Sequence, residues 1–125
     1  MKKNVLFLIV SVLIILVLIL GIYFFTSSSN LNKCVKELNS KNLKAGIDYV
    51  PGEILVGFNE TVTVEQAIEL LKSKSLKVDE SYEFFDELGF LVVKVEEGKE
   101  FEWICELQKN TQVQYAEING ITTVN

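Results

Sequence analysis

The sequence predicts an α+β domain, a four-stranded antiparallel sheet with two helices on one face, behind an N-terminal apolar helix. Three observations predict it. An unbroken apolar run lies near the start. After residue 49, hydrophobic residues recur every second position in some segments and every third or fourth in others. These segments follow one another as strand, helix, strand, strand, helix, strand.

The apolar run "VLFLIVSVLIILVLILGIYFF", Val5 to Phe25, is weakly interrupted only by Ser11 and Gly21. As a helix it crosses roughly 30 Å of hydrocarbon. It exceeds the roughly 7 to 15 residues of a usual signal-peptide core, and no A-x-A-like cleavage site follows it. Tyr23, Phe24 and Phe25 have the character of an interfacial aromatic belt. These features favour a retained anchor over a cleaved signal. "LNKC" before Cys34 is a poor lipoprotein signal, because Asn32 and Lys33 occupy positions that normally hold small residues. Lys2 and Lys3 place residues 1–4 in the cytoplasm and the remainder outside, in a single pass through the cell membrane.

Residues 26–48 read as a polar connector rich in Ser, Asn and Lys. Leu31, Cys34, Val35 and Leu38 fall at i, i+3, i+4 and i+7, so a short amphipathic spacer helix able to dock on the domain is expected there. Beyond the span, ten lysines face all 17 acidic residues. That excess of negative charge argues against nucleic acid, which requires clustered cations, and against docking on anionic lipid. Cys34 and Cys105 admit two readings, a disulfide in an oxidising space or two independent small hydrophobes.

The domain proper is expected over residues 49–117. In "YVPGEILVGF", Ile54, Val56 and Phe58 alternate with Glu53, Leu55 and Gly57 along a strand. "TVTVEQAIELLKSKS" offers Thr63 as a helix cap with Gln66 three residues on, and Val64, Ala67, Ile68 and Leu71 as one stripe. "LKVDESYEFF" returns to strand character. "DELG", Asp86 to Gly89, turns the chain into "FLVVKV", with Gly89 free to take a positive φ. "EEGKEFEWICELQKN" is a second helix, opening on acidic residues that suit its dipole and burying Phe101, Ile104 and Leu107. A last strand, Gln112 to Glu117, precedes a tail over residues 118–125. The order β-α-β-β-α-β is the ferredoxin-like arrangement.

Chemistry is sparse. With no histidine, the usual general base and the commonest transition-metal ligand are both missing. Two distant cysteines make no metal site, and no G-x-S-x-G, P-loop or dinucleotide glycine pattern occurs. Asp79 with Glu80, Asp86 with Glu87, and Glu96 with Glu97 read as solvated surface at turns and strand ends. "NET", Asn59 to Thr61, is an N-glycosylation sequon in form. No catalytic residue, metal, cofactor or small-molecule substrate is expected, so the chain reads as a binder rather than an enzyme.

"YVPGEILVGF", the amphipathic helix after it, "GFLVVKVEEGKEFEWICELQKN" and "VQYAEING" resemble, in order, the prodomains of subtilisin-like serine proteases over residues 49–119. The resemblance implies the ferredoxin-like fold and a subtilisin-like protease as partner. Attached prodomains assist folding of their protease and then inhibit it, and free-standing relatives are inhibitors. It further implies that the open sheet face packs on the protease, that Glu117 and Asn119 offer oxygens to the ends of partner helices, and that the tail enters the substrate cleft. Two departures are an anchor in front and nothing catalytic after Asn125, which points to action in trans.

Strand parity then assigns the faces. With Ile54, Val56, Phe58, Leu91, Val93, Val95, Val113 and Tyr115 inward, it places Leu55, Gly57, Phe90, Val92, Gln114 and Ala116 outward as the docking set. Gly120, Ile121, Thr122, Thr123, Val124 and Asn125 are the residues expected to extend along a protease cleft as an added strand. A non-inhibitory interaction module at the cell envelope is the alternative.

Overall fold

The computed structural model describes residues 2–79 and 85–121, with the side chains of 2–6 and 24–27 left out of the description. The elements are α1 (Lys2–Ala45), β1 (Tyr49–Phe58), α2 (Val64–Ser73), β2 (Lys77–Val78), α3 (Phe85–Leu88), β3 (Phe90–Lys94), α4 (Glu100–Leu107) and β4 (Val113–Gly120). The chain divides into two units, Met1–Lys33 and Cys34–Asn125.

In the first unit the apolar residues stand exposed, among them Leu13, Leu16 and Ile19. Its one hydroxyl in the middle of the run, Ser11 Oγ, donates to the Leu8 carbonyl at 2.9 Å. A polar group satisfied within its own helix is what a hydrocarbon environment requires. The helix is long and apolar enough to cross a membrane, a test that a signal sequence near an N-terminus also passes.

In the second unit four strands form an antiparallel sheet in the order β2-β3-β1-β4. Register sets Ile54 opposite Val93 and Ile118, and Val56 opposite Leu91 and Ala116. Cross-strand partners share a face, so these side chains line one side of the sheet. Ile54, Val56, Leu91 and Val93 are completely buried. Ala67 and Leu71 from α2, and Ile104 and Leu107 from α4, close over them in one core. Each fully buried aliphatic contributes roughly 1.5–3 kcal/mol.

Local chemistry fixes the helix ends. Thr63 Oγ1 accepts from the Gln66 N–H at 3.3 Å while Gln66 Oε1 accepts from the Thr63 N–H at 3.0 Å, a reciprocal cap at the start of α2. At α4, Glu100 in the first turn is buried to 1 % exposure, and its Oε1 accepts the Gly52 N–H at 2.8 Å. Gly52 has φ +75°, and a register shift in β1 against β4 lies between Tyr49 and Ile54. The carboxylate thus pins the Pro51–Gly52 irregularity to a helix 48 residues away in sequence. In the sequence Glu100 is one acidic residue among many, and nothing local marks it for burial.

Four expectations change. The connector over residues 26–48 is helical as far as Ala45, and within the second unit Cys34 bonds to Cys105 while Leu38 packs against the core. The end of α1 is therefore a third helical segment packed on the domain, the docked form of the spacer helix expected from the sequence. The strand expected through "LKVDESYEFF" reduces to Lys77–Val78; Phe85 opens the short helix α3, and residues 80–84 lie outside the described set. Gly89 takes its positive φ of +71°, but in leaving α3, where its N–H donates to the Phe85 carbonyl at 2.7 Å. The last strand runs on to Gly120, which pairs with Tyr49.

Candidate interaction face

The core consumes one side of each strand, and the other side of β1, β3 and β4 faces away from the helices. There Leu55 lies between Val92 on β3 and Glu117 on β4, and Gly57 lies between Phe90 and Tyr115. Leu55, Phe90, Val92 and Tyr115 are half-buried, and Glu117 is exposed. The apolar residues are contiguous across three strands, as a docking surface requires.

β4 corrects the parity expected from sequence. Phe58 pairs with Val113 but Gly57 pairs with Tyr115, so Gln114 is an extra residue in β4. Such a bulge reverses the alternation beyond it. Tyr115, expected inward, lies on the open face, and Ala116, expected among the docking residues, is buried in the core at 4 % exposure. Gln114 is exposed at the bulge itself. Burial raises the Tyr115 phenol above its ordinary value, and the Glu117 charge adds to the shift.

A polar corner borders the patch. Glu53 Oε1 accepts from the Lys94 ammonium, Lys94 Nζ also meets Asp79 Oδ2 at 3.1 Å, and Asn119 Nδ2 donates to Glu53 Oε2 at 2.7 Å. The Lys94 hydrogen bond, with help from Asn119, lowers the Glu53 carboxyl below the usual range despite partial desolvation. Hydrogen bonds from Glu53 and then Asp79 raise Lys94. Asn119, expected to offer its oxygen to a partner helix, is thus held by Glu53 through its amide nitrogen, which leaves Oδ1 as the atom able to accept.

At the end of β4 the Ile121 N–H donates to the Asp48 carbonyl at 2.7 Å, and the Ile121 side chain is half exposed. Gly120 and Ile121 are thus tied to the start of β1, and the expected tail residues Thr122, Thr123, Val124 and Asn125 lie outside the described residues. Cys34 and Cys105 form a disulfide, with Cα atoms 6.2 Å apart and a sequence separation of 71. The sequon asparagine, Asn59, donates its Nδ2 to the Thr111 carbonyl at 2.7 Å, joining the end of β1 to the approach of β4. Among the described residues no group of three His, Cys, Asp or Glu side chains is placed to hold a metal ion.

The second unit is thus a small α+β domain with helices on one sheet face and an apolar, polar-edged patch on the other. The chain belongs to the fervidolysin N-terminal prodomain family, a family of subtilisin-like protease prodomains, whose model matches residues 35–119. The match begins one residue after Cys34 and so takes in the end of α1 as well as the sheet up to Asn119. No curated protein and no solved structure matches the chain.

Proposed function

We propose that the protein is a membrane-anchored, extracytoplasmic inhibitor or folding chaperone of a subtilisin-like serine protease, acting in trans and without catalytic activity of its own. Its open sheet face docks on the protease, and the residues after Gly120 lie product-like in the substrate cleft. The observation that carries this reading is the contiguous patch of Leu55, Phe90, Val92 and Tyr115 on a domain of a prodomain family. The ferredoxin-like assignment belongs to the same proposal. It is supported by two split crossovers, in which α2 links β1 to β2 across β3 and α4 links β3 to β4 across β1.

Tethering through residues 5–25 raises the effective concentration for a protease held at the same surface. With ten of 12 lysines and every acidic residue after the span, the interaction needs neither nucleic acid nor anionic lipid. A second reading, a non-inhibitory interaction module at the envelope, keeps the sheet face and dispenses with the tail. The bond from Asn119 Nδ2 to Glu53 leaves Asn119 Oδ1 to accept from a partner, so it is compatible with either reading.

The test is a titration of the full chain in detergent micelles into an active subtilisin-like protease, following peptide hydrolysis, beside a chain ending at Gly120. Saturable inhibition by the full chain and little by the shortened one is expected. Equal binding by both without inhibition favours the interaction module.

A further inference from the structure

Gly57 is buried although it has no side chain, because the ring of Tyr115 lies over it. A Cβ at this position would stand 2.1 Å from Tyr115 Cε1 and 2.4 Å from Cζ. On the other side of Gly57, β3 places Phe90 directly opposite. The two aromatic residues therefore sit on strands flanking β1, about 10 Å apart across the sheet, and no side chain of β1 rises between them. Sequence parity places Gly57 outward in the docking set as a flat position with no side chain of its own. The bulge at Gln114 removes that hollow by turning Tyr115 into it.

We propose that Tyr115, seated on Gly57, is the principal contact residue of the open face, and that the protease meets an aromatic plate made with Phe90, not a glycine-floored depression. The inference rests on the reading of this chain as a protease-binding prodomain. Tyrosine presents a large apolar area with few rotatable bonds, and interface hot spots are enriched in it. Here the ring is already half-buried and seated before any partner arrives, so little rotamer freedom remains to be lost on binding. The plate offers no pocket at Gly57 for a projecting side chain. Its complement is a gently convex surface of aliphatic and small side chains, with a polar atom at the edge to meet the phenolic hydroxyl. Glu117, two residues along the same face of β4, gives the plate a charged edge on that side.

The experiment measures the inhibition constant of the full chain in micelles against an active subtilisin-like protease, for wild type, Tyr115→Ala, Tyr115→Phe and Gly57→Ala, with melting temperatures recorded for each. Tyr115→Ala is expected to weaken inhibition at least about 30-fold, the size of an interface hot spot, with the fold retained. Tyr115→Phe keeps the ring and stays within a few-fold of wild type. Gly57→Ala dislodges the ring without removing it and weakens inhibition too, whereas adding it to Tyr115→Ala costs nothing further, the non-additivity of two residues acting as one. Inhibition by Tyr115→Ala as strong as wild type overturns the role of Tyr115 and leaves the prodomain reading intact. Failure of the wild-type chain to bind at all overturns that reading, and this inference with it.

Discussion

Glu53 takes partners from two different strands, Lys94 on β3 and Asn119 on β4, and so ties the sheet together across its open face. The signs of the shifts give a pH window. A carboxyl lowered in the folded state contributes stability that is fully present above the unfolded value of about 4.3 and is lost as pH falls through the lower folded value. The raised Lys94 contributes below the unfolded lysine value of about 10.4, and that contribution is lost as pH rises through its higher folded value. Between these limits the pair is intact. Glu53→Gln is therefore expected to lower the melting temperature at pH 7, with the gap to wild type closing as both are taken to about pH 3. Thermal melts followed by circular dichroism measure this, and a gap of the same size at both pH values removes the ion pair as its cause.

At the scale of elements, α1 contributes most that a linear reading misses. Its last turns, with Leu38 and Ala45, face Phe101 and Ile104 of α4 and Ile118 of β4 across a groove of about 330 Å³. Asn42 Oδ1 is buried without a partner beside it. An incompletely filled seam supplies less packing than the core, and the Cys34–Cys105 bond crosses from α1 to α4 in this same region. Closing a loop of this length stabilises by up to about 4 kcal/mol in the chain-entropy account. Cys34→Ser with Cys105→Ser, or reduction of the wild type with a dithiol, is expected to lower unfolding free energy by roughly 2–4 kcal/mol. Denaturant titration with and without reductant measures it. An unchanged midpoint means that the α1 segment is held by its side chains alone.

For the whole molecule, the open question is the attachment of a small domain to an apolar helix. A helix long enough to span, with Ser11 satisfied internally, fits a membrane anchor and a signal sequence alike, and the proposed function takes the anchor. The expected result is that protein recovered from membranes after carbonate washing has the mass of the full chain. A mass corresponding to cleavage shortly after Phe25 makes the segment a signal sequence, and the tethering argument then falls while the domain's proposed role survives. Because Ile121 is bonded to Asp48, what leaves the sheet is shorter than the stretch after Glu117 suggests. In the proposed complex Ile121 enters the cleft only by giving up this bond.

Much of the fold was legible because it is local. The alternation in Ile54, Val56 and Phe58, the Thr63–Gln66 cap, the positive φ of Gly89 and the stripe through Ala67 and Leu71 depend on residues within a few positions of one another. The apolar residues of β1 and β3 on the open face were legible for the same reason, since an uninterrupted strand keeps its parity. β4 was not. One extra residue at Gln114 exchanged the faces of Tyr115 and Ala116, and the pairing with β1 fixes that register, with no signal in β4's own sequence. The sequence by itself determined the apolar segment and the order of the sheet strands and the two helices between them, which follow from periodicity and composition, and its short motifs carried the resemblance to a prodomain family. Tertiary structure decided the burial of Glu100 against Gly52, the disulfide between α1 and α4, the engagement of Asn119 by Glu53 and the seating of Tyr115 on Gly57. Each of these joins residues far apart in the chain, so its geometry exists only once the sheet and helices have packed.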